Sequence, residues 1–368
     1  MPPLRPLLDG SRPPADWLER RLLELLGTLG AGYGWIQAGR FWAYRKNLLT
    51  RWQGTCPVIS VGNLTAGGTG KTPMVAWLGR FFLDRDVPLA IVSRGYRQRA
   101  TGAVTVVADR KKRLLDAPEA ADEAVLLAQE LPGVAVLTGP DRRRLIHFAT
   151  HHLGCRLAIM DDGFQHLPVR RDLDLLLLDA QTPWGNGRLL PGGILREFPE
   201  ALRRADGILF TRAGDDFDPA AAAAMIHHIA PEIPTAHCHH EPRYWLDATR
   251  GEKHPLETLR NRNVLAFCGI GHPESFRALL VEQSVNPLDL IIFPDHHPVT
   301  SSQLRELARH AGILGATALV TTRKDLVKIT TPPPDPPLFA LDIGIRFPEP
   351  PPWLLERLER LAVRAIAP

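Results

Sequence analysis

The sequence lacks paired cysteines and long apolar runs, and it contains little lysine. Its four cysteines lie far apart without a C-x-x-C pair, so we predict neither a disulfide framework nor a structural zinc site. The first residues, MPPLRPLLDGSRPP, contain no continuous apolar stretch, so we expect no signal peptide. No segment reaches about 18 uncharged apolar residues, which argues against a membrane-spanning helix.

Charge is nearly balanced, since 44 basic residues face 40 acidic ones. Only seven of the basic residues are lysine, so a lysine inside a motif is informative. A pI near 9 favours an anionic partner only weakly. No nucleic-acid motif accompanies the charge, and we therefore expect no nucleic-acid binding. A chain of 368 residues with 45% apolar side chains is a globular protein of two or three domains.

Aromatic and basic residues are concentrated in residues 15–55. Half of the eight tryptophans lie there, at Trp17, Trp35, Trp42 and Trp52, among six arginines and lysines. Such residues favour the boundary between membrane and water. The alternative is a helical hairpin whose aromatic side chains pack on the protein's own core. Composition alone leaves both interpretations open.

A phosphate-binding loop is the strongest motif. The apolar run Val58–Val61 predicts a buried strand, and the residues after Met74 predict a helix. Between them lies a glycine-rich G-K-T sequence, in which backbone N–H groups and a lysine bind phosphates and a threonine binds Mg²⁺. These residues are Gly67, Gly68, Thr69, Gly70, Lys71 and Thr72. Membrane-associated switch ATPases carry a second lysine where this chain has Ala66, which counts against that class.

Acidic residues follow a second apolar strand at 157–160. Asp161 and Asp162 open the sequence DDGFQH, at the strand end where doubly wound folds bind ligands. Carboxylates there can hold Mg²⁺, and in an extended chain only one of the two faces the metal directly. Arg94 and Arg142 also follow apolar strands, where they face either the ligand crevice or solvent. Asp122, considered alone, is typical of a helix N-terminus.

The second half of the chain predicts another domain. A Pro- and His-rich stretch at 232–262 predicts a linker, and later β–α–β alternation predicts a smaller parallel sheet. Thr300 and Gln303 predict a capping box at a helix start. We therefore expect a helical segment at 1–55, a P-loop domain at 56–231, a linker at 232–262 and a smaller α/β domain at 263–368.

Eight stretches together resemble the tetraacyldisaccharide 4'-kinase family, the lipid A 4'-kinases of Gram-negative bacteria. They are VGNLTAGGTGKTP, SRGY, ADEAVLLA, GPDR, DDGFQH, LLPGGILRE, FPDHH and TTRKD. The resemblance implies an α/β fold with a RecA-like P-loop NTPase domain and a smaller C-terminal α/β domain. It implies transfer of the γ-phosphate of ATP, with Mg²⁺, to the 4'-hydroxyl of tetraacyldisaccharide 1-phosphate, giving lipid IVA. It also implies a peripheral protein on the cytoplasmic face of the inner membrane, and we expect a monomer that lies in the interface without spanning it.

The resemblance also implies roles for individual residues. Asp122 matches the catalytic base with Glu123 beside it, and His296 matches the histidine that tunes that base. The family's acidic and polar positions around the metal and ATP correspond to Asp161, Asp162, His166 and Glu197. The family's basic surface for the substrate phosphate corresponds to Arg94 and Arg142.

Three positions depart from the family pattern. The glycine usual after R-G-Y is Arg97, the proline of D-E-P is Ala124, and E-K-D is Arg323-Lys324-Asp325, a segment to which we assign no chemistry. If Asp122 and His296 belong to different domains, catalysis requires domain closure. The alternative function is a membrane-peripheral P-loop ATPase switch without a phosphoryl acceptor.

Overall fold

The computed structural model describes residues 5–214, 216–332 and 335–367. Residues 1–4 and 368, at the ends of the predicted segments 1–55 and 263–368, lie outside this part of the chain, as do 215, 333 and 334. In chain order the elements are α1 (Arg5–Leu8), α2 (Trp17–Arg45), β1 (Val58–Asn63), α3 (Lys71–Leu83), β2 (Leu89–Ser93), β3 (Thr105–Ala108), α4 (Asp122–Glu130), β4 (Ala135–Thr138), α5 (Arg142–His152), β5 (Leu157–Asp161), β6 (Leu173–Asp179), β7 (Gly207–Thr211), α6 (Pro219–Ile229), β8 (Thr235–His237), β9 (His239–Asp247), β10 (Lys253–His254), β11 (Asn263–Cys268), α7 (Pro273–Glu282), β12 (Asn286–Ile292), α8 (Ser301–Leu314), β13 (Ala318–Thr322), α9 (Arg323–Leu326), β14 (Leu338–Arg346) and α10 (Pro352–Ile366). Short 3₁₀ helices lie at Pro199–Arg204 and Leu256–Leu259.

The chain forms two compact units, and neither is continuous in sequence. Unit 1 falls within residues 1–94, 139–239 and 346–368, and unit 2 within 95–138 and 240–345. This division differs from the predicted linear domains. The last helix belongs to unit 1 because its Trp353 ring fills the space beside Gly207, and the neighbouring Phe347 ring lies 5.1 Å from the Trp77 ring.

Unit 1 is built on a parallel sheet that contains the predicted strands. Strand β1 lies between β5 and β6, and the order β2-β5-β1-β6-β7-β8 is parallel throughout. Both β1 and β6 are buried along their whole length, as strands covered on two faces must be. The carboxyl ends of β1 and β5 therefore meet at one edge, and the register places Val61 opposite Asp161.

Unit 2 contains the smaller parallel sheet that the sequence predicts. Its strands follow the order β10-β9-β14-β13-β11-β12, and β11 to β14 pair in parallel. The predicted capping box is confirmed at the start of α8, where Thr300 and Gln303 exchange hydrogen bonds. Strands β3 and β4 pair antiparallel, and α4 lies between them in sequence.

The predicted linker at 232–262 is not a linker in the structure. It holds strands β8, β9 and β10, and Trp245 and Leu259 within it are fully buried in the core of unit 2. Prolines and histidines suggested a solvated segment, but in β9 the buried positions Pro242, Trp245 and Asp247 are separated by partly exposed residues, as in a strand with one covered face.

Helix α2 packs one face closely against unit 1. Gly30 faces the carbonyl of Leu189, and an added Cβ would lie 2.6 Å from that oxygen. Gly34 faces the side chains of Leu189 and Phe198. Within the described residues, no helix combines the length and apolarity needed to cross a membrane. All four cysteines are buried and free, which confirms that they form no disulfide framework.

Candidate functional site

The glycine-rich loop joins β1 to the first turn of α3 in unit 1. Gly67 and Gly70 adopt φ values of 136° and 76°, which side-chain-bearing residues rarely reach. Helix α3 begins at Lys71, so the N–H groups of its first turn have no partner within the helix. A Cβ on Gly68 would meet nothing within 4 Å. This open loop at a helix N-terminus is suited to bind a phosphate chain.

Lys71 is held at the mouth of this loop by polar neighbours. Its Nζ donates to Asn63 Oδ1 at 3.2 Å and lies 3.6 Å from Asp162 Oδ1. The amide of Asn63 donates to Thr65 O, and Thr211 Oγ1 donates to Thr69 O. The loop is thus held by hydrogen bonds from β1 and β7, and Lys71 contacts an amide and a carboxylate that phosphate can replace.

The two aspartates differ in environment. Asp161 is the buried last residue of β5, whereas the Asp162 side chain is 39% exposed and its φ is 55°. The Arg196 guanidinium donates to both Asp162 oxygens, at 2.8 and 2.9 Å. Burial raises the pKa of Asp162, but the charges of Lys71 and Arg196 outweigh it and lower the pKa to about 2. Asp162 is therefore ionised at neutral pH.

The motif LLPGGILRE supports the phosphate loop from the other side. Ile194 O accepts from Ala66 N–H at 2.6 Å, and Arg196 N–H donates to Leu64 O at 2.7 Å. Sequence reasoning assigned no chemistry to Asn63 or Arg196. Both lie inside quoted motifs, yet only the fold shows that they contact Lys71 and Asp162.

The structure corrects the metal role predicted for Glu197. Its two carboxylate oxygens accept from Arg204 at 2.5 and 2.6 Å, and the residue is only 6% exposed. Arg204 also stacks on the Phe164 ring and faces the Phe41 ring of α2. Glu197 therefore neutralises the charge of Arg204, which lies beside Phe164 of the DDGFQH motif.

His166 is held neutral near the acidic pair. Burial and then the charges of Arg142 and Arg171 lower its pKa to about 4. Its buried Nε2 has no hydrogen-bond partner among the described residues. Among all the residues that the structure describes, no three His, Cys, Asp or Glu side chains form a group that could hold a metal ion. Thr72 and the two aspartates nevertheless supply the oxygen donors that Mg²⁺ takes together with nucleotide phosphates, so these residues fit that ion.

The two predicted substrate arginines differ in exposure. Arg94 is exposed at the end of β2. Arg142, the first residue of α5, is 5% exposed. Burial lowers the pKa of Arg142, against the opposing charges of Asp162 and Asp161. Arg142 therefore faces the acidic pair rather than open solvent.

Asp122 and His296 are in contact within unit 2. Asp122 is the first residue of α4, and its Oδ2 lies 2.8 Å from His296 Nδ1. The side chains are 13% and 16% exposed. Burial raises the pKa of Asp122, but hydrogen bonds, chiefly the one from His296, outweigh burial and lower that pKa. The carboxylate is thus ionised, oriented and still reachable, as a general base requires.

The contact lies within one unit, which corrects the expected arrangement. Residues 95–138 carry Asp122 into the same unit as the turn that follows β12, where His296 has a φ of 62°. Pairing the two residues therefore requires no closure of one unit on another. Tyr96 packs edge-on to the imidazole, with ring centroids 5.8 Å apart, and Glu123 Oε1 lies 3.2 Å from Lys324 Nζ.

Known proteins match this chain over nearly its whole length. The family described as "Tetraacyldisaccharide-1-P 4'-kinase" matches residues 22–361. Proteins named tetraacyldisaccharide 4'-kinase from Geobacter metallireducens and Desulfotalea psychrophila are 39% and 38% identical, over 85% and 87% of this chain and 90% and 91% of their own lengths. The crystal structure of LpxK from Aquifex aeolicus in complex with ATP is 31% identical, with a TM-score of 0.76 over 94% of this chain and 100% of that one.

Proposed function

Because the chain belongs to the tetraacyldisaccharide 4'-kinase family, we propose that Lys71 and its loop bind the phosphates of ATP and that Asp122 accepts the proton of the sugar alcohol. The protein is an ATP-dependent phosphotransferase that acts on the 4'-hydroxyl of tetraacyldisaccharide 1-phosphate in lipid A biosynthesis. A switch ATPase without an acceptor is set aside, because the matched family and its relatives are named as kinases.

In the proposed reaction the 4'-oxygen forms a bond to the γ-phosphorus, the bond from that phosphorus to the β,γ-bridging oxygen breaks, and ADP leaves. The proton of the alcohol passes to a carboxylate oxygen of Asp122. Positioning and charge neutralisation supply most of the rate in such transfers, so a correctly placed carboxylate suffices as base. The observation that carries this assignment is the 2.8 Å contact between Asp122 and His296.

Several residues have supporting roles in the proposal. Mg²⁺ bound with the nucleotide neutralises phosphate charge, and Thr72, Asp161 and Asp162 are its proposed protein ligands. His166 stays a proposed ligand, since its Nε2 is neutral and unpartnered among the described residues. We assign exposed Arg94 to binding of the substrate phosphate. Arg142 is buried, and we place it beside Asp161 and Asp162.

We also propose that the protein docks as a monomer on the cytoplasmic face of the inner membrane through α2. The support is the apolar surface that α2 leaves exposed, including Trp17 at 69%, Trp35 at 72% and Ile36 at 70%. The lipid acceptor has acyl chains that reside in a bilayer, so an interfacial helix would bring the enzyme to its substrate. Light scattering should give the mass of a single chain, 40.8 kDa.

A labelling assay tests the assigned roles. With γ-labelled ATP and the disaccharide lipid, wild-type protein should place the label in lipid. Lys71→Ala should lose transfer and nucleotide binding together, whereas Asp122→Asn should bind ATP normally and slow transfer by about 10²–10⁴-fold. Wild-type transfer by Asp122→Asn would refute the assignment of the base.

A further inference from the structure

We propose that Lys324 is a positioning residue for the transfer, which holds the proton of His296 on Nδ1 so that the imidazole donates to Asp122. The inference deepens the proposed function and rests on Asp122 being its base. It also gives a role to the R-K-D segment, to which the sequence alone assigns none.

Lys324 lies against the far side of the imidazole from Asp122. It is the second residue of α9, and its Nζ is 3.4 Å from His296 Nε2. The same Nζ is 3.2 Å from Glu123 Oε1 and 3.5 Å from Asp295 Oδ1. The side chain is 23% exposed, so a largely desolvated ammonium group is placed among two carboxylates and a ring nitrogen.

The ammonium group and the Asp122 carboxylate together determine which nitrogen of His296 carries the proton. A charged lysine donates hydrogen bonds and cannot accept them, so Nε2 must be the acceptor. The proton of the neutral ring then resides on Nδ1, and the 2.8 Å contact becomes a donation from Nδ1–H to the Asp122 carboxylate.

Lys324 stays charged because its neighbours are acidic. Burial lowers the pKa of Lys324, but the charges of Glu123 and Asp295 outweigh burial and raise that pKa. Glu123, predicted to lie beside the base, therefore acts through Lys324: the contacts run from Glu123 to Lys324, then to His296 and to Asp122.

The segment that carries Lys324 is fixed by its own hydrogen bonds. Thr322 Oγ1 caps α9 by accepting from Asp325 N–H. The fully buried Asp325 accepts from Gly269 N–H at 3.0 Å and from Lys328 Nζ at 2.7 Å. The position of the ammonium group is therefore determined by the fold.

Other charged and titratable groups also face this cluster. Tyr96 packs on the His296 ring, and the Arg97 guanidinium donates to the backbone carbonyl of Asp295. The charge of Lys328 contributes to the lowered pKa of Asp122. Among these groups Lys324 is the one whose hydrogen-bonding atom lies within 3.5 Å of His296 Nε2 in the described residues.

The test compares Lys324→Met with Lys324→Arg, which keeps a cationic donor. Lys253→Met is the control, since Lys253 is an exposed lysine of unit 2 that lies over the Tyr244 ring. In Lys324→Met we expect kcat to fall about tenfold, the size of effect that one charged hydrogen bond gives. The KM for ATP should stay within about twofold, because nucleotide binding does not use this lysine. Lys324→Arg should recover most of the rate, and the control should match wild type.

Nitrogen NMR of ¹⁵N-histidine-labelled protein supplies a readout that a merely structural role would not move. Wild type should show His296 protonated on Nδ1 alone. Lys324→Met should show a mixture of the two neutral tautomers at pH 8, together with the loss of kcat. An unchanged His296 signal in a folded Lys324→Met protein would overturn the inference. So would a loss of ATP binding and thermal stability in parallel with kcat.

The two proposals can fail separately. If Asp122→Asn transfers phosphate at the wild-type rate, the base assignment is wrong, while the NMR signal still decides what Lys324 does to the ring. If Asp122→Asn is impaired and Lys324→Met is not, the base assignment stands and the role of Lys324 is refuted.

Discussion

At the scale of single residues, three of the eight described side-chain-bearing residues with a left-handed backbone lie at or beside the proposed chemistry. Asp162, His296 and Arg97 have φ values of 55°, 62° and 60°, a region that side-chain-bearing residues rarely occupy. Asp162 lies beside Lys71 of the phosphate loop in unit 1, and His296 contacts Asp122 in unit 2. Arg97 stands where the family usually has glycine, a residue that reaches this conformation without steric cost. Arg97 accepts that cost and gains its contact with Asp295 O at 3.2 Å.

Replacing the partner of the base should change how the rate depends on pH. In wild type the pKa of Asp122 is lowered by His296, so the carboxylate is ionised well below neutral pH. In His296→Ala the desolvation that raises the pKa of Asp122 remains and the hydrogen bond that lowers it is lost. The acidic limb of the kcat/KM profile should therefore move to higher pH, with kcat at pH 8 reduced about 10–100-fold.

The sign of this shift is the informative part of the pH experiment. Asp122 contributes stability above its unfolded pKa, and that contribution is lost as the pH falls through the lower folded value. Because the folded pKa of Asp122 is lowered, its carboxylate stays ionised between pH 5.5 and 8. Wild type should therefore lose no rate through protonation of Asp122 in that range. A displacement of the His296→Ala limb to lower pH would contradict the proposed pairing. Partly exposed His310, on α8, gives a control, His310→Ala, outside the site.

At the scale of elements, helix α2 has one face that packs on its own protein and another that is exposed. The face with Gly27, Gly30 and Gly34 contacts residues 188–192 and Phe198, part of the segment that also braces the phosphate loop. The other face exposes tryptophan, leucine and isoleucine. Both interpretations offered for residues 15–55 therefore hold in part, because the helix packs on its own protein and still presents apolar surface.

The close face predicts a sharp contrast between two glycines of the same helix. In Gly30→Ala the new methyl group meets the Leu189 carbonyl at 2.6 Å, and a backbone atom cannot move aside cheaply. We expect the free energy of unfolding to fall by about 1–3 kcal/mol. The matched control is Gly32→Ala, where nothing lies within 4 Å and the better helix propensity of alanine should stabilise by about 0.5–1 kcal/mol. Urea unfolding measures both, and equal effects would argue against this packing.

The exposed face predicts loss of membrane binding without loss of fold. In the double variant Trp17→Ser/Trp42→Ser, sedimentation with vesicles containing phosphatidylglycerol should weaken about 10–100-fold, because two aromatic anchors are removed. The thermal midpoint should be unchanged, since these side chains are 69% and 52% exposed. Val363→Ser, equally exposed at 69% on α10, is the control and should sediment like wild type. Unaltered sedimentation of the double variant would remove α2 from the docking surface.

At the scale of the whole molecule, the proposed nucleotide loop belongs to unit 1 and the proposed base belongs to unit 2. Saturation of unit 1 with ATP and Mg²⁺ should raise the free energy of unfolding by about 2.7 kcal/mol at a hundredfold excess over Kd. Lys71→Ala should abolish this increase and His296→Ala should keep it. Removal of Mg²⁺ with EDTA should abolish phosphate transfer, and added Mg²⁺ should restore it. A His296→Ala protein that no longer responds to nucleotide would show that the two functions are not separable.

Local sequence predicted much of this architecture. The strands predicted at 58–61 and 157–160 are present, each slightly longer than predicted, because unbroken apolar runs can be buried only in a covered sheet. The contact of Asp122 with His296 followed only from family resemblance, since no local pattern joins residues 174 positions apart. Arg196, Asn63 and Lys324 were missed because their contacts depend on loop geometry that spacing does not encode.

The discontinuous units determine when each function can appear during synthesis. The phosphate loop and Asp122 leave the ribosome early, but strand β12 and His296 follow long afterwards, and helix α10 completes unit 1 only near residue 366. A nascent chain therefore carries its nucleotide lysine and its base well before it can pair that base. Activity should arise in a single late step, once the residues of α10 have been released.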